Sequence, residues 1–132
     1  MRLCLIIPSL SAGGAERVMT ILANRWVAKG WEITLLSLDD GSIRPFFPLD
    51  PGVRHRPLGL LADSKHLWMG LCNNVKRLTT LRKAIRQTQA DAVISFLEST
   101  NVLTLLATRG LGIPVIASEL IEPSAYRIKP RQ

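Results

Sequence analysis

At 132 residues, with 47% hydrophobic side chains and 20% charged ones, the chain is long enough for one domain with a sizeable core and too apolar for a disordered tail. Its two cysteines, Cys4 and Cys72, stand in apolar or helical stretches without a CxxC or a histidine at ligand spacing, so they read as buried reduced thiols rather than a disulfide framework or metal site. The formal charge is +7, yet no apolar run approaches the roughly 18 residues of a membrane span, so the expectation is a soluble, cytoplasmic, basic protein.

The start, "MRLCLIIPSLSAGGA", has the sign order of a secretory leader, but its apolar run is short and broken by Pro8, and cleavage would remove the first strand. That strand is Leu3 to Ile7, a continuous apolar run of the kind buried on both faces of a parallel sheet. From Ala15 the period becomes helical, with Ala15, Val18, Met19, Leu22 and Trp26 on one stripe and Gly30 as the stop. "WEITLLSLDD", Trp31 to Asp40, is a second strand ending in two acids, which completes a βαβ unit. Turn residues dominate from Gly41 to Leu61 (Pro45, Pro48, Pro51, Gly52, Pro57, Gly59), with "GVRHRPL" as a short edge strand. Leu67, Leu71, Val75, Leu78 and Ile85 then predict a helix whose stripe covers the sheet. "ADAVISF" is a strand, "STNVLTLLATRGLG" a short helix capped by Ser99 or Thr100, and "IPVIASE" a further strand. The tail "PSAYRIKPRQ" has no period, and the chain has no internal repeat. The fold class is α/β: a single Rossmann-like, three-layer domain over 1–132 with a mostly parallel sheet.

Between the first strand and the first helix lies "PSLSAGGAER". Glycine there lets backbone turn tightly and approach a ligand, and the free N–H groups of a helix's first turn favour an anion such as phosphate. A turn with no ligand is the simpler alternative. A dinucleotide site gains some support from Asp39 and Asp40, where a ribose-binding acid would stand. Against it, aligning Gly14 with the second glycine of GxGxxG puts Ala12 and Arg17 at the other two glycine positions, and no GK[ST] follows for a Walker A loop. The later strand-to-helix loops carry Ser95, Glu98, Ser99 and Asn101, then Ser118 and Glu119. In a parallel sheet all of these meet Gly13 and Gly14 at one edge, which suits a hydroxyl-rich ligand carrying phosphate. Taken singly, each is as well explained by helix capping or loop solvation.

The segments "IIPSLSAGGAERVMTILANRWVAKGWEITLLSL" and "DAVISFLESTNVLTLLATRGLGIPVIASE" resemble the N-terminal domain of a family 4 glycosyltransferase of the GT-B type. The resemblance covers nearly the whole chain, and "SLSAGGAER" opening the first helix is its most specific part. It implies the N-terminal half of a two-domain fold, with the acceptor on this side of the cleft and the glycine loop, Gly13 and Gly14, near the donor's diphosphate. Glu16, Arg17, Ser95, Glu98, Ser99, Asn101, Ser118 and Glu119 become substrate-binding candidates. Where relatives often read "SERN" this chain reads "SELI", which bears on Glu119. The donor domain that the resemblance places C-terminal, usually carrying two glutamates eight positions apart, is not expected within these 132 residues, whose Glu16, Glu32, Glu98, Glu119 and Glu122 contain no such pair. The catalytic residues therefore cannot be named, no cofactor beyond a nucleotide-sugar co-substrate is implied, and the absence of DxD agrees with a metal-independent type. The chain alone is expected to be inactive.

The charge is local. Between Ser64 and Ala90 there are six cations (Lys65, Lys76, Arg77, Arg82, Lys83, Arg86) and no acid. A solvated basic face is one reading. A basic amphipathic helix with Trp68 at its start also suits an anionic membrane, with Lys65, Trp68, Lys76, Arg77, Lys83 and Arg86 as contacts, so a peripheral position at the inner membrane face is the sharper expectation. Few aromatics and no binding motif argue against nucleic acid. The leading reading is the acceptor-side domain of a retaining, nucleotide-sugar-dependent glycosyltransferase acting on a lipid-linked, lipopolysaccharide or other cell-envelope glycan, with retention implied by the resemblance only. The alternatives are a non-catalytic α/β module binding a phosphorylated ligand or partner, and a small dinucleotide-dependent enzyme.

Overall fold

The computed structural model describes residues 1–10, 12–42, 44–60 and 67–118, with side chains except those of 67–74, 98 and 99. In chain order its elements are β1 (Arg2–Ile7), α1 (Gly14–Ala28), β2 (Glu32–Ser37), β3 (Arg54–Pro57), α2 (Leu67–Thr88), β4 (Ala92–Phe96), α3 (Glu98–Ala107) and β5 (Val115–Ser118). The strands form one sheet in the order β3-β2-β1-β4-β5, with every pairing parallel. This is the α/β, Rossmann-like fold read from the sequence.

β1 lies at the centre because its run is apolar on both sides: Cys4, Leu5, Ile6 and Ile7 are all fully buried. Leu5 and Ile7 join α1 residues Ala15, Met19 and Ala23 on one face, while Cys4 and Ile6 join Leu81, Ala84 and Ile85 of α2 and Ala107 of α3 on the other. Each leucine, isoleucine or methionine among them contributes about 1.5–3 kcal/mol by leaving water, so the middle strand holds the three layers together. Burial also pushes the Cys4 thiol up to about 12, against a smaller opposing hydrogen bond from Thr88, so it stays protonated and inert. The Cys72 side chain lies outside the described residues.

Several local expectations need correction. On α1, Val18 is 37% exposed, while Thr20 and Ala23 turn inward, and Thr20 Oγ1 is satisfied by Glu16 O at 2.8 Å. On α2 the inward stripe runs through Leu78, Leu81, Ala84 and Ile85, and Val75 is 61% exposed. Val75 stands a little over a quarter turn from the centre of that stripe at 3.6 residues per turn, so its spacing to Leu78 misled. β2 ends at Ser37 rather than Asp40, because the N–H groups of Leu38 and Asp39 turn to Pro8 O, each at 3.0 Å. α3 starts at Glu98, so neither Ser99 nor Thr100 is its cap. The N-cap is Leu97, at φ 79° and ψ 142°, and Thr100 is fully buried within the helix. By contrast α1 stops as expected: Gly30 adopts φ 88°, the left-handed turn that ends a helix without steric penalty.

Candidate functional site

The connection from β1 leads to α1 on one face of the sheet, and the connection from β4 leads to α3 on the other. The two adjacent central strands therefore part company at their carboxyl ends. That divergence opens a crevice, the place where ligands enter open α/β sheets. Its walls are the glycine loop before α1 and the turn at Leu97 before α3.

The two glycines serve different ends. Gly13 is the N-cap in ordinary extended backbone, φ −148° and ψ 168°, and the flexible end of Glu16 lies where a Cβ would point. Glu16 thus reaches back over the helix start, as an acid in the first turn does when drawn by the free N–H groups and the helix dipole. Gly14 opens the helix, is exposed, and has nothing within 4 Å of where a Cβ would point. The room beside the first turn is therefore on the Gly14 side. Arg17 is exposed on the same turn, its N–H bonded to Gly13 O at 3.0 Å.

On the opposite wall the candidates divide. Ser95 Oγ donates to Asn101 Oδ1 at 2.6 Å, and Asn101 Nδ2 donates to Ser118 O at 3.2 Å, so one buried side chain ties β4, α3 and β5 together. Ser95 is fully buried and Asn101 is 6% exposed; both have their hydrogen-bonding capacity directed inward. The side chains of Glu98 and Ser99, and the whole of Glu119, lie outside the described residues. What the sequence did not reveal is Leu97. A positive φ costs a leucine about 1–3 kcal/mol of backbone strain, and such strain gathers at functional turns. Leu97 N–H reaches Ser118 O at 3.3 Å and its carbonyl accepts from Asn101 N at 2.8 Å, so the Ser95, Asn101 and Ser118 tie encloses the strained residue.

Beside the other edge, fully buried Ser37 shares a 2.8 Å hydrogen bond with His55 Nε2 across β2 and β3. Burial holds the His55 pKa below its ordinary 6.5, and the Asp39 carboxylate opposes that shift in part. Because the folded form prefers neutral His55, its contribution is complete above about pH 6.5 and is lost as pH falls below it. Thermal midpoints measured from pH 7.5 to 5.0 should therefore fall more steeply in the wild type than in His55→Gln, which keeps a hydrogen bond to Ser37 without a titrating ring. Parallel curves would separate His55 from acid sensitivity.

The basic face also divides. Lys76, Lys83 and Arg86 are exposed and Arg77 is half-buried. Arg82 Nη1 donates to Arg109 O at 2.5 Å and to Ala107 O at 3.3 Å, placing its charge at the carbonyl end of α3. An open groove of about 550 Å³ follows, lined by Thr79, Arg82, Lys83, Arg86 and Gln87. Lys65 and the Trp68 side chain lie outside the described residues. Among the described residues no group of three His, Cys, Asp or Glu could hold a metal ion, and no helix is long and apolar enough to cross a membrane.

A parallel sheet in this order, with a glycine-opened helix at its switch point, defines a Rossmann-like domain. Residues 13–126 match the family model described as a glycosyl transferase 4-like domain, and the chain belongs to that family. It is 33% identical over 136 residues to the GalNAc-alpha-(1->4)-GalNAc-alpha-(1->3)-diNAcBac-PP-undecaprenol alpha-1,4-N-acetyl-D-galactosaminyltransferase of Campylobacter jejuni, covering 99% of this chain and 37% of that protein. The chain thus spans little more than a third of that relative's length. Solved structures that resemble it include MurG of Acinetobacter baumannii (TM-score 0.68, 17% identity, 90% of this chain and 35% of that one) and apo UGT2 of Phytolacca americana (TM-score 0.61, 21% identity, 94% and 30%). At those identities the likeness concerns the fold alone.

Proposed function

We propose that this chain is the acceptor-side domain of a nucleotide-sugar-dependent glycosyltransferase that extends a lipid-linked or other cell-envelope glycan. The observation that carries the reading is the family match over 13–126 on a chain whose glycine-opened helix stands at the sheet's switch point. In this reading the exposed Gly14 side of the first turn faces the donor's diphosphate, and Glu16, over Gly13, withdraws or accommodates as that anion arrives. Arg17 stands on the same turn as a cation for it. Ser95, Asn101 and Ser118 act by holding the β4 to α3 turn, so that Glu98, Ser99 and Glu119 are the candidates for direct contact with the acceptor. No metal and no cofactor besides the nucleotide-sugar enter the proposal. A second domain supplies most donor contacts, in keeping with the fraction of the Campylobacter relative that this chain spans.

The reading extends to a surface. We place the exposed cations of α2 against an anionic membrane, with the protein peripheral to its cytoplasmic face, because a lipid-linked acceptor is held there and the helix carries no acid to compensate them.

The test is transfer. The protein from the intact coding region should move N-acetylhexosamine from its UDP donor to a polyprenyl-diphosphate-linked glycan, whereas the 132-residue chain should not. A complete protein that binds phosphorylated ligands and transfers no sugar from any nucleotide donor would favour the non-catalytic module instead.

A further inference from the structure

Phe46 is 64% exposed, although it sits in a fastened part of the molecule. Its N–H donates to Leu10 O at 2.8 Å, which pins it to the buried residue that leads into the glycine loop. Two residues on, Pro48 O accepts from Asn24 Nδ2 at 2.9 Å, and Asn24 Oδ1 accepts from Asp50 N at 2.7 Å, so α1 grips the other end of the loop. Pro45 and Pro48 restrict the backbone on either side of the two phenylalanines. The half-buried Phe47 meets the Phe46 ring edge-on, at 5.0 Å between centroids and 83° between planes, which sets the orientation of the exposed face. A large apolar ring is thus held out into water on a rigid mount beside the candidate site.

We propose that Phe46 is a stacking platform for a sugar ring of the acceptor glycan; this rests on the acceptor-side reading above. One face of a pyranose is a patch of C–H bonds with slight positive charge, and the face of an aromatic ring carries the complementary negative quadrupole. Stacking there leaves the hydroxyl edge of the sugar free for polar groups and for reaction. Because the mount is already ordered, little conformational freedom is lost on binding. A lipid surface fits the position less well. Leu10 and Asn24, which fasten the loop, belong to the α1 side of the sheet, whereas the basic helix α2 covers the opposite face. A bilayer lying on Lys76, Lys83 and Arg86 would not meet Phe46.

The experiment is a proton NMR titration of the full chain with the disaccharide GalNAc-α-(1→4)-GalNAc, with UDP and anionic phosphatidylglycerol vesicles as parallel probes. Stacking predicts upfield ring-current shifts for the C–H protons of one sugar face in the wild type and in Phe46→Tyr. Phe46→Ala and Phe46→Leu should lose those shifts and bind about tenfold more weakly, with thermal midpoints close to wild type because the ring is exposed. Leucine is the informative variant, since it keeps apolar contact and removes the π face. Undiminished binding in Phe46→Ala or Phe46→Leu overturns the proposal and leaves the acceptor-side reading intact. Loss of UDP stacking or of vesicle binding in Phe46→Ala, with sugar binding unchanged, overturns it in favour of a nucleobase or lipid contact. Failure of the wild type to bind the disaccharide at all tells against both the platform and the reading beneath it.

Discussion

Gly14→Val is expected to leave the domain folded and to stop sugar transfer by the complete enzyme. The structure makes this a clean substitution. Gly14 has no left-handed backbone requirement, lies at an exposed first helical position, and has nothing within 4 Å of the point a Cβ would occupy. Valine also has a better helix propensity than glycine by a few tenths of a kcal/mol, so the thermal midpoint should hold or rise slightly. What valine does occupy is the open space beside the first free N–H groups of α1, where the proposal puts the donor's diphosphate. Removing a single backbone contact to a reacting phosphate or oxyanion commonly costs about a hundredfold or more in rate, and a branched side chain in that space removes several. Gly13→Ala is the companion measurement. Its methyl group meets the flexible end of Glu16, which can swing away, so a smaller loss is expected there. A stable Gly14→Val enzyme with wild-type turnover would take this loop out of the site.

The parts of this protein that were legible in its sequence are those where one local signal decides the outcome. The unbroken apolar run of β1 can only be buried on both faces, and the glycine at position 30 marks where α1 must reverse. The parts that were not legible depend on partners distant in the chain. Whether Val75 or Leu81 faces the sheet is a question of helix phase, and apolar residues recur along α2 in more than one phase. The start of α3 looked like a serine or threonine cap, because nothing local announces that Leu97 will take φ 79°. That conformation is enclosed by Asn101 and Ser118 through bonds that exist only once β4, α3 and β5 have assembled. In the same way Ser37 and His55 meet only through the parallel register of β2 on β3. For the site, the glycines were visible as a motif, whereas Phe46 was one apolar residue in a run of turn signals. Its exposure, and its bond to Leu10, are properties of the folded loop.

Changing Lys76, Arg77, Lys83 and Arg86 together to Gln should reduce binding to anionic vesicles by about two to three orders of magnitude at low ionic strength, at on the order of 1 kcal/mol for each cation near the surface. The difference should shrink as salt rises towards physiological strength, where the Debye length falls to about 8 Å. The exposed changes in this variant should not lower stability, and its thermal midpoint checks the half-buried Arg77. Like charges three and four positions apart, as in Arg82, Lys83 and Arg86, disfavour a helix by a few tenths of a kcal/mol per pair, and α2 has no acid to offset them. Arg82 is left in place because its guanidinium holds the carbonyls of Ala107, the last residue of α3, and of Arg109 just beyond it. A second, salt-insensitive part of such binding would come from the neighbouring helix. α3 turns Thr100, Thr104 and Thr108 inward and leaves Val102, Leu105 and Leu106 at least half exposed, on the same helical layer as the α2 cations. Cation loss should therefore weaken the salt-dependent component, and Leu105→Ser with Leu106→Ser the remainder, as Trp68→Ala should if its ring joins that surface. Co-sedimentation with phosphatidylglycerol vesicles at two salt concentrations resolves both. If wild type and the four-Gln variant bind equally at low salt, the cations of α2 form a solvated face and the membrane contact lies elsewhere.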